Sequence, residues 1–274
     1  MGSNRTMPNQ DIGKRLHLRG FGVLGALPHD MIRELARAAE GAGYHTFWVN
    51  DAADGDGLAA LAQAAAVTTE IRLGVGAIPL DRQSPRRIAA RIVELELPVE
   101  RLTLGVGSGH TTGGLARVRD GVAALRESTT ATLVVAAMGP RMSRLAGEIA
   151  DGVLLDWATP AYAQRVTNIV ESTAAETGRP RPWIASYVFT ALGAEVMAKL
   201  RAEADYYAAI PYYAAHFARM NAGPMEAVAF GEDARALQRD IAQFDAVLDE
   251  TVVRAVVAEE TAAAYLAVLH AASP

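Results

Sequence analysis

The sequence predicts a (β/α)8 barrel, on three observations. Seven short β-rich runs recur with starts about 20 to 32 residues apart, which is the length of one strand, one loop and one helix. Helical patterns with start and stop signals lie between them. The chain has 274 residues, a length at which α/β barrels commonly run as one domain.

The runs are "GFGVLGA" (20–26), "TFWVN" (46–50), "IRLGVGA" (71–77), "RLTLGVG" (101–107), "TLVVAA" (132–137), "DGVLLD" (151–156) and "WIASYVF" (183–189). Residues 1–19 read as a flexible arm and 20–274 as one domain. The first helix is expected after Pro28, with Asp30 as N-cap and Gly41 and Gly43 at its end. Ser84-Pro85 opens the helix after strand three, and Pro98 closes it. Seven βα-spaced strands imply a parallel sheet covered by helices. An open doubly wound sheet is the rival. "GVGSGH" superficially fits a dinucleotide turn, but its third glycine comes one position early and no acidic residue ends the next strand.

After strand seven the pattern changes. Residues 193–222 read as a helical insertion broken at Pro211, and 195–222 as a lid. Residues 232–270 also read as mostly helical. The eighth strand is uncertain. "YLAVLH" (265–270) fits a strand or the end of a helix, and the helix is favoured. Strands one and seven would then lack a common neighbour. A homodimer, or cover by residues 14–19, would have to fill the gap.

Composition narrows the function. About half the residues are apolar, and the net charge is −5 with no basic patch. Nucleic-acid binding therefore has no support. There is no cysteine, which removes disulfides and thiol chemistry. No metal motif, nucleophile elbow or P-loop is present. The polar N-terminus does not read as a signal peptide, and no apolar run has membrane-span length. A cytoplasmic protein acting on a small molecule is expected.

"RLTLGVGSGHTTGG" (101–114) raises the sharpest question. Glycine at this density weakens a strand. In a barrel, however, the C-terminal end of a strand is the ligand side. Glycines there let a flat ring or a phosphate approach the backbone. His110 is then the first ionisable side chain past strand four, and a histidine can give or take a proton near neutral pH. The alternative is a tight turn with a solvated histidine.

"EGAGYHTFWVND", "IRLGVGA", "ERLTLGVGSGH" and "VVAAMGPRMSRLAGEIADGVLL" follow one another in order. Together they resemble the luciferase-like monooxygenase superfamily, and within it the oxidoreductases that use the deazaflavin coenzyme F420. The resemblance covers about 20–220. It implies a luciferase-like barrel with the cofactor at the C-terminal strand ends, and FMN as the alternative cofactor. It implies a cis peptide at Gly76–Ala77 behind the ring. It places Gly107, Ser108 and Gly109 beside the cofactor, and His110 where many relatives carry a glutamate acid. Gly139, Pro140, Arg141 and Met142, at a helix N-terminus, fall where the family holds its cofactor phosphate.

Asp51 matches a family aspartate. Ala52 stands where deazaflavin enzymes often carry a catalytic histidine, which lends weight to a non-catalytic flavin or deazaflavin carrier. Ser108 stands where bacterial luciferases place an FMN-binding arginine. Tyr212, Tyr213 and His216 fall where the family shapes its substrate pocket, and Trp48, at the end of strand two, is placed to wall that pocket, although Trp48 and His216 also suit core packing. His45, before strand two, reads as structural.

Overall fold

Eight parallel strands close on themselves. The computed structural model describes residues 17–51, 55–109 and 111–274. In chain order the barrel strands are β1 (Leu18–Val23), β2 (Thr46–Val49), β3 (Arg72–Pro79), β4 (Leu102–Gly107), β5 (Thr132–Ala136), β6 (Gly152–Asp156), β7 (Trp183–Leu192) and β9 (Glu250–Ala255). Each pairs with the next, β7 pairs with β9, and β9 pairs with β1. The short strand β8 (Val228–Gly231) adds only to the upper half of β7, at Phe189–Leu192. Closure rules out the doubly wound sheet.

All seven expected strands are present. The eighth is neither absent nor at 265–270. It is "ETVVRA", inside the stretch expected to be helical, and 265–270 lies within helix α10 (Ala262–Ala271). The open edge on which the homodimer and cover expectations rested therefore does not exist. Two boundaries also differ. Strand one begins at Leu18, inside the expected arm; of that arm, residues 1–16 lie outside the described residues. Helix α1 (His29–Gly41) starts at Pro28 without a side-chain cap. Asp30 instead sits in its first turn and pairs with Arg33.

The helices between the strands are α2 (Gly57–Ala65), α3 (Pro85–Glu94), α4 (Gly114–Ser128), α5 (Pro140–Ile149) and α6 (Pro160–Glu176). Ser84 Oγ accepts the Arg87 N–H at the head of α3, as its spacing predicts. After β7 come α7 (Met197–Ala209) and α8 (Pro211–Met220), then β8 and α9 (Ala234–Asp245). The break falls at Pro211, whose ring cannot donate within a helix but suits its first position.

Alternation sorts the strand residues into two cores. Outward-facing residues such as Phe47, Leu73, Leu104 and Val253 pack under the helices. Trp48, Val134, Leu154, Trp183, Ala185, Tyr187 and Val252 fill the barrel itself. A Cβ on Gly74 would collide with the Trp48 ring, so the indole occupies the space that residue leaves. Among the described residues no helix is long and apolar enough to cross a membrane.

Candidate functional site

The C-terminal mouth of the barrel begins with the β3–β4 pair. The Gly76–Ala77 peptide is cis, and the pairing register shifts between Val75 and Ile78. This bulge brings β3 against β4. A Cβ on Gly105 would lie 2.7 Å from the Val75 carbonyl oxygen. Gly107 differs: a Cβ there would meet Ala77 Cβ at 3.4 Å and Ala136 Cβ at 3.6 Å, both ordinary contacts. Gly107, Ala77 and Ala136 thus form a low wall, and the two alanines keep surface exposed.

Gly109 has φ +68°, and the Asp81 carboxylate fills the place of its missing side chain. Only glycine adopts this turn at little cost there. Asp81 Oδ2 also accepts the Thr111 N–H at 3.2 Å. Ser108 donates its hydroxyl to the Gly109 carbonyl, and its own carbonyl accepts from Arg117 at 2.9 Å. Asp81 and Arg117 therefore hold the loop on either side of His110. His110 itself, like Ala52, lies outside the described residues.

Asp51 is buried at the end of β2. Its Oδ2 accepts from Arg82 at 2.7 Å and Gln83 at 3.0 Å, and Oδ1 accepts the Gly57 N–H at 3.1 Å. Both oxygens are engaged, so Asp51 braces the β2 loop against the β3 loop. Sequence reading singled out Asp51 but not its partners.

Gly139 caps α5, with Pro140 first in the helix. Arg141 is exposed, and Met142 partly so. The neighbouring Met138 carbonyl is a junction. It accepts the Tyr162 hydroxyl at 2.9 Å and an Arg219 N–H at 3.3 Å, and His216 Nδ1 lies 2.9 Å away. His216 Nε2 lies 3.0 Å from the Trp157 carbonyl. Burial lowers the His216 pKa, although both carbonyls oppose this. A neutral ring has one N–H and satisfies only one of them. His216 is 1% exposed and Trp48 0%. His216 ties α8 to two mouth loops, and Trp48 packs beneath the mouth.

The remaining arc of the mouth was not foreseen. Asp156, last in β6, accepts the Tyr213 hydroxyl at 2.6 Å. Burial pushes its carboxyl up to about 6, with the Tyr213 hydrogen bond and the Arg254 charge opposing. Asp156 still keeps some surface in the mouth. Burial and the Asp156 charge hold the Tyr213 phenol well above its ordinary range. Tyr187 reaches across the barrel from β7, and its hydroxyl donates to the Gly76 carbonyl at 3.1 Å. Arg254, on β9, lies over the Phe189 ring at 5.5 Å. Tyr212 is 41% exposed, outside this cluster's core. The sequence carried one signal: a charged residue is last in "GVLLD" and next to last in "ETVVRA".

A separate cavity of about 450 Å³ lies outside the mouth, lined by Met197, Val228, Phe230, Asp240 and Phe244 among others.

The family model for luciferase-like monooxygenases matches residues 17–122 and 115–272. The chain belongs to that family. No curated protein matches it in sequence. Among solved structures, it is similar to an F420-dependent secondary alcohol dehydrogenase holding an F420–acetone adduct, at TM-score 0.76 and 15% identity, covering 94% of this chain and 99% of that one. It is similar to the coenzyme F420-dependent tetrahydromethanopterin reductase of Methanopyrus kandleri, at 0.75 and 17%, covering 93% and 97%. It is also similar to the FMN-bound oxygenating constituent of 3,6-diketocamphane monooxygenase from Pseudomonas putida, at 0.70 and 16%, covering 93% and 97%. These likenesses establish the fold.

The opposite end of this luciferase-like barrel also holds ionisable groups. Glu250 is 0% exposed, and Trp48 donates its indole N–H to Oε1 at 3.2 Å. Burial pushes the Glu250 carboxyl up to about 8, with Trp48 and Arg72 opposing. Arg72 donates to the Thr132 hydroxyl at 3.0 Å and the Thr103 hydroxyl at 3.3 Å. Burial and the Arg72 charge press His45 down to about 4. His45 packs edge-on against Trp183, as its structural reading expects.

Proposed function

We propose that this chain is an oxidoreductase that moves a hydride between coenzyme F420 and a small organic substrate. The observation that carries the reading is the mouth itself. It sets a wall of small residues beside a protonatable carboxyl–phenol pair, within a luciferase-like barrel. A flat tricyclic ring needs such a low wall, since a larger side chain at Gly107 or Ala136 would stand in its place. Gly76, Ala77, Gly107, Ser108 and Gly109 would hold the ring. Gly139, Pro140, Arg141 and Met142 would meet the phosphate end at the head of α5. Asp51 acts by bracing the loops between them.

The cofactor, when bound, supplies the hydride. The chain orients the ring, keeps water out, and holds a proton for the reacting centre. His110 is the proposed proton-transfer group, and Asp156 is a second one whose raised pKa suits an acid near pH 6. The aromatic face of α7 and α8, with Tyr212 and Tyr213, would cover the substrate as a lid. Hydrogen exchange in 195–222 should then slow on cofactor binding.

Equilibrium titration with each cofactor tests the reading. F420 is expected to bind more tightly than FMN, and FMN binding tighter by tenfold, about 1.4 kcal/mol, would overturn the choice. The FMN monooxygenase is the second reading, favoured by the likeness to the FMN-bound diketocamphane enzyme. Absence of turnover with reduced cofactor and a substrate panel would leave a carrier, the reading that Ala52 favours. His110→Ala should lower turnover ~10²–10⁴-fold with little change in cofactor affinity.

A further inference from the structure

Two arginines in the barrel wall are buried, and their surroundings differ. Arg19 is 8% exposed. Its guanidinium is saturated by Asp245 at 2.7 and 3.2 Å, Gln238 at 2.6 Å, and the carbonyls of Ala272 and Ser273 at 3.0 Å each. Arg254 is 6% exposed. Its guanidinium donates one hydrogen bond, from Nη1 to the Ala255 carbonyl at 2.9 Å, and rests on the Phe189 ring. No carboxylate among the described residues forms an ion pair with it.

A guanidinium has five N–H donors and never loses its charge in a protein. Burying such a cation without a counterion is expensive. A ring face offsets part of this and leaves the in-plane donors free.

Position says what is missing. Arg254 shares its inward face with Val252, which packs in the barrel core, and Glu250, which bonds to Trp48. It is the last of these, at the ligand end of β9, and its charge reaches Asp156 and Tyr187. The small-residue wall and the head of α5 lie on the β3–β5 arc instead.

We propose that Arg254 is the specificity-determining residue of the mouth and holds a carboxylate carried by the substrate. This rests on the reading of the mouth as the substrate site. A planar carboxylate matches the guanidinium fork with two parallel hydrogen bonds. Such a substrate, seated on Arg254, would lie within the same arc as the Asp156 carboxyl.

The test uses acetate, pyruvate and benzoate, each against its neutral amide, titrated into the full chain by calorimetry. At least one carboxylate is expected to bind about tenfold tighter than its amide. Arg254→Gln should erase that preference, and Arg254→Lys should keep part of it. F420 affinity, measured separately, should stay within about threefold of the parent in both variants. Circular dichroism of Arg254→Lys and Arg254→Gln checks that both are folded.

Three results would overturn the proposal. They are no preference for any carboxylate in the parent, an unchanged preference in Arg254→Gln, or loss of F420 affinity in Arg254→Gln with carboxylate binding intact. The last would place the arginine on a cofactor phosphate. A parent that binds carboxylates through Arg254 but binds neither F420 nor FMN would uphold this inference and refute the functional reading.

Discussion

The two ends of the barrel each bury a carboxyl with a raised pKa, and they bury it differently. At the N-terminal end Glu250 is sealed, and its indole partner comes from another barrel strand. At the C-terminal end Asp156 keeps some surface, and its phenol partner comes from α8. A proton at the first site is coupled to the barrel's own packing. A proton at the second is coupled to a segment inserted after β7, and so to whatever lies beneath that segment. Barrel enzymes keep chemistry at the C-terminal end and stability at the other. Here the same residue chemistry meets two environments, a sealed one at the N-terminal end and a part-open one at the C-terminal end.

The strongest way to break this comparison is to neutralise each carboxyl in turn. Asp156→Asn is expected to lower turnover ~10²–10⁴-fold, the usual effect of losing a general acid or base. Any limb of the rate profile near pH 6 should vanish with it. Glu250→Gln keeps an acceptor for Trp48 and should leave turnover within about threefold of the parent. Turnover lost in Glu250→Gln but kept in Asp156→Asn would reverse the assignment of the two ends.

Stability should show the opposite pattern with pH. The folded Glu250 pKa is raised from 4.5 to about 8. Between those values the folded state binds more protons than the unfolded one, so stability falls as pH rises through that window and levels off above it. The slope is at most about 1.4 kcal/mol per pH unit. Glu250→Gln should flatten the curve, gaining on the parent at pH 8 relative to pH 5. Urea unfolding midpoints across that range measure it, and parallel curves for the two proteins would refute the raised pKa.

These two residues also show where sequence reading stops. Seven strands were legible because their spacing was regular and their apolar runs unbroken. The eighth follows an insertion that upsets the spacing. Its inward face is Glu250, Val252 and Arg254, so charge interrupts the alternation that marks a strand. Alanine-rich helices on both sides then drew the whole stretch into a helical reading. The glycines of β4 and the loop at Gly139 were legible as the C-terminal ends of strands. Asp156 was not, because its burial and its phenol partner Tyr213, 57 residues away, arise only in the folded chain. Strand periodicity carries no information about such a pair. Arg254 was lost together with its strand.

Glycine-to-alanine substitution sharpens the comparison at a finer scale. Gly74→Ala drives a methyl into the fully buried Trp48 ring. Overpacking of this kind typically costs about 1–3 kcal/mol, and a smaller urea midpoint with unchanged slope is expected. Gly105→Ala, with its methyl 2.7 Å from the Val75 carbonyl, should fall in the same range. Stability of either variant equal to the parent would mean that the barrel core yields more than its packing implies.

The smallest effect on stability is expected two residues further along β4. A methyl on Gly107 would lie 3.4 Å from Ala77 Cβ, in ordinary contact, and the strand would not have to move. Gly107→Ala should therefore unfold within about 0.5 kcal/mol of the parent. The methyl would nevertheless raise the low wall on which the cofactor ring is proposed to lie. A rigid ring has no rotamer with which to avoid it, and a one-methylene mismatch in a pocket is worth about 1–3 kcal/mol. Cofactor affinity should then fall about 5- to 150-fold, in a protein otherwise as stable as its parent. Loss of stability without loss of affinity would make Gly107 a packing residue like Gly74 and Gly105. Loss of affinity alone would mark the level along β4 where barrel core ends and ligand site begins.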